Sequence, residues 1–346
     1  MRTRQGVSID EFRSGSGPIL DVRSPVEFNR GHIPGAQNFP LFSDKEREKI
    51  GICYKKEGRE AAIALGFEVV GPKLADLVRT ATELSADKKV RIHCARGGMR
   101  SRSVQWLLET AGISALILDG GYKSYRRRTR ELFENPRRII LLGGLTGTGK
   151  TDILKKLREQ GGQIVDLEGL ASHRGSSFGG LSLPDQPTTQ QFENRIAEIL
   201  TETDPEKPLW IEAESGRIGN CWIPEGLFSR MKSSPSIEIN RSIEERLDNL
   251  TRIYGDSNRE DLTNATKRIA QRLGGARTKA AVELIANGDL REACRIILDY
   301  YDRSYNFGRR RIPVAEIDVS GLTSDQAAKL LTQKTAEFFK NSAFFA

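Results

Sequence analysis

Short apolar blocks alternate with segments of three-to-four-residue spacing, and this alternation runs twice along the chain. In the first stretch, "PILDVRS" (18–24), "KVRIHC" (89–94) and "SALILDGG" (114–121) read as strands. Between the last two, Val104, Leu107, Leu108 and Ala111 recur at i, i+3, i+4 and i+7, which predicts a helix starting near Ser101. "YKSYRRRTRELFENPRR" (122–138) is charged and weakly apolar, and reads as a helix and a linker broken at Pro136. The second alternation has strands at "RIILLGG" (138–144), "QIVDLEG" (163–169), "PLWIEAE" (208–214), "SIEIN" (236–240) and "IPVAEIDV" (312–319). A helix over 151–162 closes on glycine, and residues 242–307 are mostly helical and charged. The expected class is therefore α/β, with two domains, 1–134 and 135–346, the second carrying a helical insertion and a C-terminal helix.

The 346 residues, 38% of them hydrophobic, suffice for two cores of ordinary size. No run of about 18 apolar residues is present, so no membrane span is expected. The basic N-terminus lacks the apolar stretch of a secretory signal, and the expected compartment is the cytosol. The net charge of +8 suggests a polyanionic partner such as nucleic acid, or phosphorylated substrates, beside the plainer option of a solvated basic surface. Cys53, Cys94, Cys221 and Cys294 show no CxxC spacing, and only three histidines accompany them. A structural zinc site or a disulfide framework is not expected from this set. A single reactive thiol is the more interesting option.

"HCARGGMRS" (93–101) places Cys94 at the end of a strand and Ser101 at the start of a helix. A helix N-terminus leaves backbone N–H groups free and adds partial positive charge. Gly97 and Gly98 let the loop curl into an anion nest, and Arg96, Arg100 and Arg102 add formal charge. A thiol in that setting ionises below its free value, and the same donors hold an anion beside it. Cys94 is thus the candidate nucleophile, with Arg96, Gly97, Gly98, Arg100 and Ser101 as its anion loop. The alternative is a buried cysteine before a glycine turn. Cys53 is a weaker candidate for resolving a mixed disulfide, with a structural role the simpler option.

"GLTGTGKT" (144–151) fits GxxxxGK[ST] between a strand and a helix, the setting of a phosphate-binding P-loop. Gly144, Gly147 and Gly149 allow the amides to wrap a diphosphate, Lys150 neutralises it, and Thr151 is the candidate ligand for Mg²⁺. Glu212 and Glu214, placed on one strand face at period two, are candidates for acid or metal support, as are Asp166 and His173 in "DLEGLASHRGSSFG" (166–179). Surface charge and a satisfied loop histidine are the plainer readings of the same residues.

"LDVRSPVEFNRGHIPGAQNFPL" (20–41), the cysteine loop and "LDGGYKSY" (118–125) resemble rhodanese-like sulfurtransferase domains, over about the first 130 residues. Such domains carry sulfur on the loop cysteine as a persulfide. Here five residues separate Cys94 from Arg100, where many sulfurtransferases have four. The HCx5R spacing is also that of rhodanese-like and tyrosine phosphatases, whose general acid has no clear counterpart here beyond Asp119. With the P-loop added in this order, the whole chain resembles the tRNA 2-selenouridine synthase family.

That resemblance implies a rhodanese-like domain followed by a P-loop domain. It implies a tRNA substrate with a wobble 5-substituted 2-thiouridine, selenophosphate as selenium donor, and an S-geranyl intermediate made from geranyl diphosphate. It implies Cys94 as the selenium carrier, no tightly bound cofactor, and an enzyme supplying selenophosphate as a partner. Under it, Arg126, Arg127, Arg128 and Arg130, with the arginines at 137–138 and 309–311, become candidate tRNA contacts. Tyr122, Tyr125, Tyr305 or Phe307 are candidate stacking partners for an extruded base. Trp210, Trp222 and Phe178 are candidate linings of a prenyl pocket, and equally core residues. Whether the P-loop takes geranyl diphosphate or a nucleotide stays open. So do a phosphatase or arsenate-reductase-like enzyme with a regulatory nucleotide domain, and an RNA-binding switch with an inactive rhodanese module.

Overall fold

The computed structural model describes residues 6–308 and 312–339. The chain divides into two compact units after Leu132.

In the first unit, α1 (Ile9–Ser14) leads to β1 (Ile19–Asp21), α2 (Pro25–Arg30) and β2 (Ala36–Asn38). Three helices follow, α3 (Asp44–Glu57), α4 (Arg59–Val70) and α5 (Leu74–Leu84). Next come β3 (Lys89–His93), α6 (Met99–Thr110), β4 (Ser114–Ile117) and α7 (Gly121–Glu134), which carries the chain across the division. The strands pair in parallel in the order β2-β1-β3-β4. Parallel strands covered on both faces read as near-continuous apolar runs. Leu20, Val90 and Ile92 accordingly share one core with Val104 and Leu108 of α6.

The second unit opens with β5 (Ile139–Gly144), α8 (Lys150–Glu159), β6 (Gln163–Val165), α9 (Leu167–Ala171) and α10 (Thr189–Glu202). It continues through β7 (Leu209–Glu212), the short ribbon β8 (Arg217–Ile218) and β9 (Cys221–Trp222), α11 (Glu225–Ser233) and β10 (Ser236–Asn240). A helical block follows: α12 (Ile243–Tyr254), α13 (Arg259–Arg268), α14 (Ala270–Leu273), α15 (Gly275–Asn287) and α16 (Leu290–Gly308). The unit ends with β11 (Ala315–Asp318) and α17 (Ser324–Phe339). The main sheet runs β11-β10-β5-β7-β6, parallel throughout, with β5 buried at every residue. Ile153, Leu154 and Leu157 of α8 and Ala327, Ala328 and Leu331 of α17 pack in its core. The helices from α12 to α16 close around a second core that includes Phe178.

Both halves have the α/β character expected from the hydrophobic pattern, and the differences are local. β2 was not anticipated, because "AQN" on a sheet edge carries no apolar alternation. The strand expected over 163–169 stops at Val165, where Asp166 caps α9 by accepting the Gly169 N–H at 2.7 Å. α6 begins at Met99, earlier than the apolar spacing indicates. No helix among the described residues is long and apolar enough to cross a membrane.

Candidate active sites

Cys94 follows directly on β3 and is 3% exposed. The Tyr122 N–H donates to the Cys94 carbonyl at 2.8 Å, and the Lys123 N–H to the Ala95 carbonyl at 2.9 Å. These bonds draw loop carbonyls toward the start of α7. The N–H groups of Arg96 and Ser101 face the sulfur instead. Gly121, at φ +57°, makes the approach feasible: a Cβ there would lie 2.3 Å from the Cys94 carbonyl oxygen. In the first turn of α6, Ser101 Oγ lies 3.3 Å from Cys94 Sγ. Burial alone would push the thiol up. The Ser101 hydroxyl, the two N–H groups and the Arg100 charge outweigh it, and the thiol is held below its usual range. Of the three loop arginines only Arg100 is partly buried; Arg96 and Arg102 are exposed.

Arg100 does not stand alone. Its Nη1 and Nη2 donate to Glu27 at 2.6 and 3.2 Å, across 73 positions of sequence. Burial tends to raise the Glu27 carboxyl, but the Arg100 hydrogen bond and charge win and hold it below the usual carboxylate range. Glu27 also accepts the Ser24 N–H at 3.1 Å, so the start of α2 fixes its position. Deeper in the unit, Asp21 is paired with Arg23, whose guanidinium lies 3.8 Å from the Tyr122 ring centroid. His93 is wholly buried and pushed down to about 4, by burial first, with the Asp21 charge opposing. The 3.6 Å approach of His93 Nε2 to Asp21 Oδ2 is thus no ion pair at neutral pH, where burial keeps the imidazole uncharged.

Sequence reasoning missed Glu27, whose only local signal is a helix start. Glu27→Gln is expected to slow chemistry at Cys94 about ten- to a hundredfold, the scale of a hydrogen bond to a charged group. The check is the rate of adduct formation on Cys94, with Glu27→Asp recovering part of the loss.

In the second unit the P-loop is held by side chains that draw its carbonyls outward. Arg246 Nε donates to the Thr146 carbonyl at 2.9 Å, Asn249 Nδ2 to that of Gly147 at 2.9 Å, and Arg241 Nε to that of Thr148 at 3.0 Å. Arg246 is in turn clamped by Asp302 of α16 at 2.6 and 2.9 Å. Gly147 sits at φ +83°, where a Cβ would lie 2.9 Å from the Arg246 carbonyl oxygen. Lys150 Nζ donates to the Gly144 carbonyl at 2.7 Å. Thr151 Oγ1 donates to Glu212 Oε1 at 3.0 Å, and the Glu168 N–H to Glu212 Oε2 at 3.0 Å.

Glu212 is the last residue of β7 and fully buried. Glu214 is not on that strand, contrary to the period-two expectation: the chain turns, and the Glu214 N–H donates to the Glu212 carbonyl at 2.8 Å. The turn still brings its carboxyl to Glu168. Burial, then the Glu214 charge, pushes Glu168 up to about 8 against the pull of Lys150. Burial, then Glu168, pushes Glu212 well above the usual range. Asp166 joins this group electrostatically while capping α9. His173 is turned to its own loop, where Nδ1 accepts the Gly175 N–H at 3.2 Å. Burial, then Arg174, holds it below its usual value.

A small apolar pocket, partly open to solvent, adjoins the P-loop. Its lining runs from Thr146 and Ser176 to Leu262, Ile285 and Cys294. Phe178 lines it; Trp210 belongs to the sheet core instead, and Trp222 is exposed beneath Arg217.

Two sequence-based expectations for RNA contact need correction. Helical periodicity in α7 puts Tyr122, Tyr125 and Arg126 on its buried face, at 6%, 4% and 9% exposure. Neither tyrosine is available to a base, nor Arg126 to a phosphate; Arg127, Arg128 and Arg130 are exposed. The side chains of Tyr305 and Phe307, and residues 309–311, lie outside the described residues.

A cysteine cradled by amides at a helix start, followed by a P-loop with an apolar pocket beside it, defines a two-domain group-transfer protein that handles anionic substrates. A family model described as "Rhodanese-like domain" matches residues 9–128, and one described as "tRNA 2-selenouridine synthase AAA domain" matches residues 137–336. The chain is 37% identical to the tRNA 2-selenouridine synthase of Marinobacter nauticus, over 84% of this chain and 88% of that one. It is 37% identical to that of Bordetella bronchiseptica, over 87% and 91%, and 40% identical to that of Pseudomonas putida, over 68% and 66%. The chain belongs to the tRNA 2-selenouridine synthase family.

Proposed function

We propose that the protein replaces sulfur by selenium in wobble 5-substituted 2-thiouridine of tRNA, in two chemical steps housed in its two units. In the first, the thiouridine sulfur attacks C1 of geranyl diphosphate. The C–O bond breaks, pyrophosphate leaves, and the base gives up its N3 proton. Alkylation turns a poor leaving group into a thiol. In the second, the Cys94 thiolate attacks C2, the C2–S bond breaks and geranylthiol leaves; the selenium of selenophosphate then displaces Cys94 from C2, and water cleaves the Se–P bond to release phosphate, the base regaining its N3 proton. The anion loop suits the tetrahedral selenophosphate, and its donors favour the Cys94 thiolate.

The observation that carries the prenyl assignment is the shared wall of the P-loop and the apolar pocket: Thr146 belongs to both. A diphosphate with an apolar chain uses both halves, the phosphates on the loop and the chain against Leu262 and Ile285. The Thr151 hydroxyl, with Glu212 behind it, is the oxygen set that would hold Mg²⁺ together with substrate phosphates. Bound there, the ion would neutralise charge on the departing pyrophosphate.

Nucleoside analysis of tRNA treated with geranyl diphosphate, with selenophosphate, and with both is the test. The expected products are S-geranyl-2-thiouridine from the first reagent alone and 2-selenouridine only when both are present. Selenouridine formed without any prenyl donor would reject the two-step route.

A further inference from the structure

We propose that the outer face of α6 is a platform for single-stranded RNA, on which Trp106 stacks a base neighbouring the one that reaches Cys94. This rests on tRNA being the substrate, and adds which surface holds it. Met99, Arg102, Ser103 and Trp106 share one exposed helical face, opposite the buried Ser101, Val104 and Leu108. Trp106 is 62% exposed and Met99 50%. An indole left in water on a helix whose other face is fully used for packing has no role in the core.

Three observations select RNA as the occupant. The first is position. α6 is the helix whose first turn supplies Ser101 to the Cys94 sulfur, so this face begins at the lip of the cysteine loop. Trp106 follows Met99 by seven residues, about 10 Å along the axis at roughly 1.5 Å per residue, within reach of a nearby nucleotide. The second is charge. Arg96 at the lip and Arg102 on the face are both exposed, and neither side chain enters an ion pair among the described residues. The acid of this helix, Glu109, lies beyond Trp106 and accepts from Gln105 at 3.2 Å. The third is the interleaving itself. Arginine between apolar and aromatic side chains breaks up the continuous apolar area that a protein partner needs. It matches a strand that offers phosphates and π-faces in turn.

The test uses the full chain and a tRNA anticodon stem-loop with a wobble 2-thiouridine. Trp106→Ala is expected to weaken binding about 5- to 100-fold, the scale of losing one base–aromatic stack. Trp106→Phe should recover most of it, and the rate of Cys94 alkylation should stay unchanged in both. Trp106 is one of three tryptophans, so Trp210→Phe with Trp222→Phe isolates its fluorescence, which bound RNA should quench. Equal RNA affinity of Trp106→Ala and the unsubstituted protein, or fluorescence indifferent to RNA, overturns the proposal. So does loss of self-association in Trp106→Ala with RNA affinity intact, which would give this face to a second copy of the chain. An unsubstituted protein that binds no tRNA overturns the tRNA reading itself, and this surface with it.

Discussion

Serine in place of Cys94 is expected to lower selenium incorporation into tRNA by on the order of 10³-fold or more, the scale of removing an enzyme's nucleophile. Geranylation should continue, because the P-loop and its pocket lie in the other unit. The measurement is the same nucleoside analysis, joined to mass spectrometry of the protein after exposure to S-geranylated tRNA without selenophosphate: an RNA adduct on Cys94 in the native chain, none in the variant. The pH profile adds a sharper condition. Burial raises Cys94, but the Ser101 hydroxyl, the loop N–H groups and Arg100 lower it further than burial raises it. The thiolate therefore persists below the ordinary thiol range, and reactivity should fall only as pH drops through that lowered value. The other three cysteines supply the control. Burial raises Cys53, Cys221 and Cys294, the last to about 11. Alkylation of Cys94 should reach its plateau at lower pH than any of these. Should Cys94 titrate alongside them, or should the serine variant still make 2-selenouridine, the nucleophile role is lost.

Both candidate anion loops were legible in the sequence because each is built from consecutive residues whose spacing sets the local geometry. A cysteine, two glycines and an arginine before a helix, or GxxxxGK[ST] after a strand, fix local geometry whatever surrounds them. What surrounds them was not legible. Glu27 meets Arg100 across 73 positions, and nothing in "SPVEF" says more than that a helix begins. The same holds for the pocket, whose wall draws on the P-loop, the 176–178 loop and four helices of the α12–α16 block. Those side chains are ordinary apolar residues until the fold encloses a space between them. The clustered arginines of α7 misled in the opposite way. A run of charge says nothing of which members a helix turns inward, and Arg126 falls on the face with Tyr122 and Tyr125. The exposed side of α6 escaped notice because Trp106, in the row of letters, looks like one more apolar residue of an amphipathic helix.

Lys150→Ala is expected to slow geranyl transfer by on the order of 10²–10³-fold, as loss of a preorganised charge at a leaving group does. Selenium transfer to tRNA that already carries the S-geranyl group should be untouched. The chain length of the prenyl donor then separates the pocket from the phosphate loop. At about 0.8 kcal/mol per buried CH₂, a donor five carbons shorter than geranyl gives up about 4 kcal/mol, so dimethylallyl diphosphate should bind up to about a thousandfold more weakly. Inorganic pyrophosphate, which needs only the amides and Lys150, should be indifferent to changes deep in the pocket. Cys294→Phe, which fills space between α16 and the other helices, should therefore weaken geranyl diphosphate at least tenfold while leaving pyrophosphate competition unchanged. A nucleotide-driven P-loop makes the contrary forecast. There Lys150→Ala abolishes nucleotide hydrolysis, and both variants geranylate tRNA at the native rate. The two patterns differ in the geranylation rate, because only a prenyl donor at this site makes geranyl transfer depend on both the phosphate loop and the apolar wall.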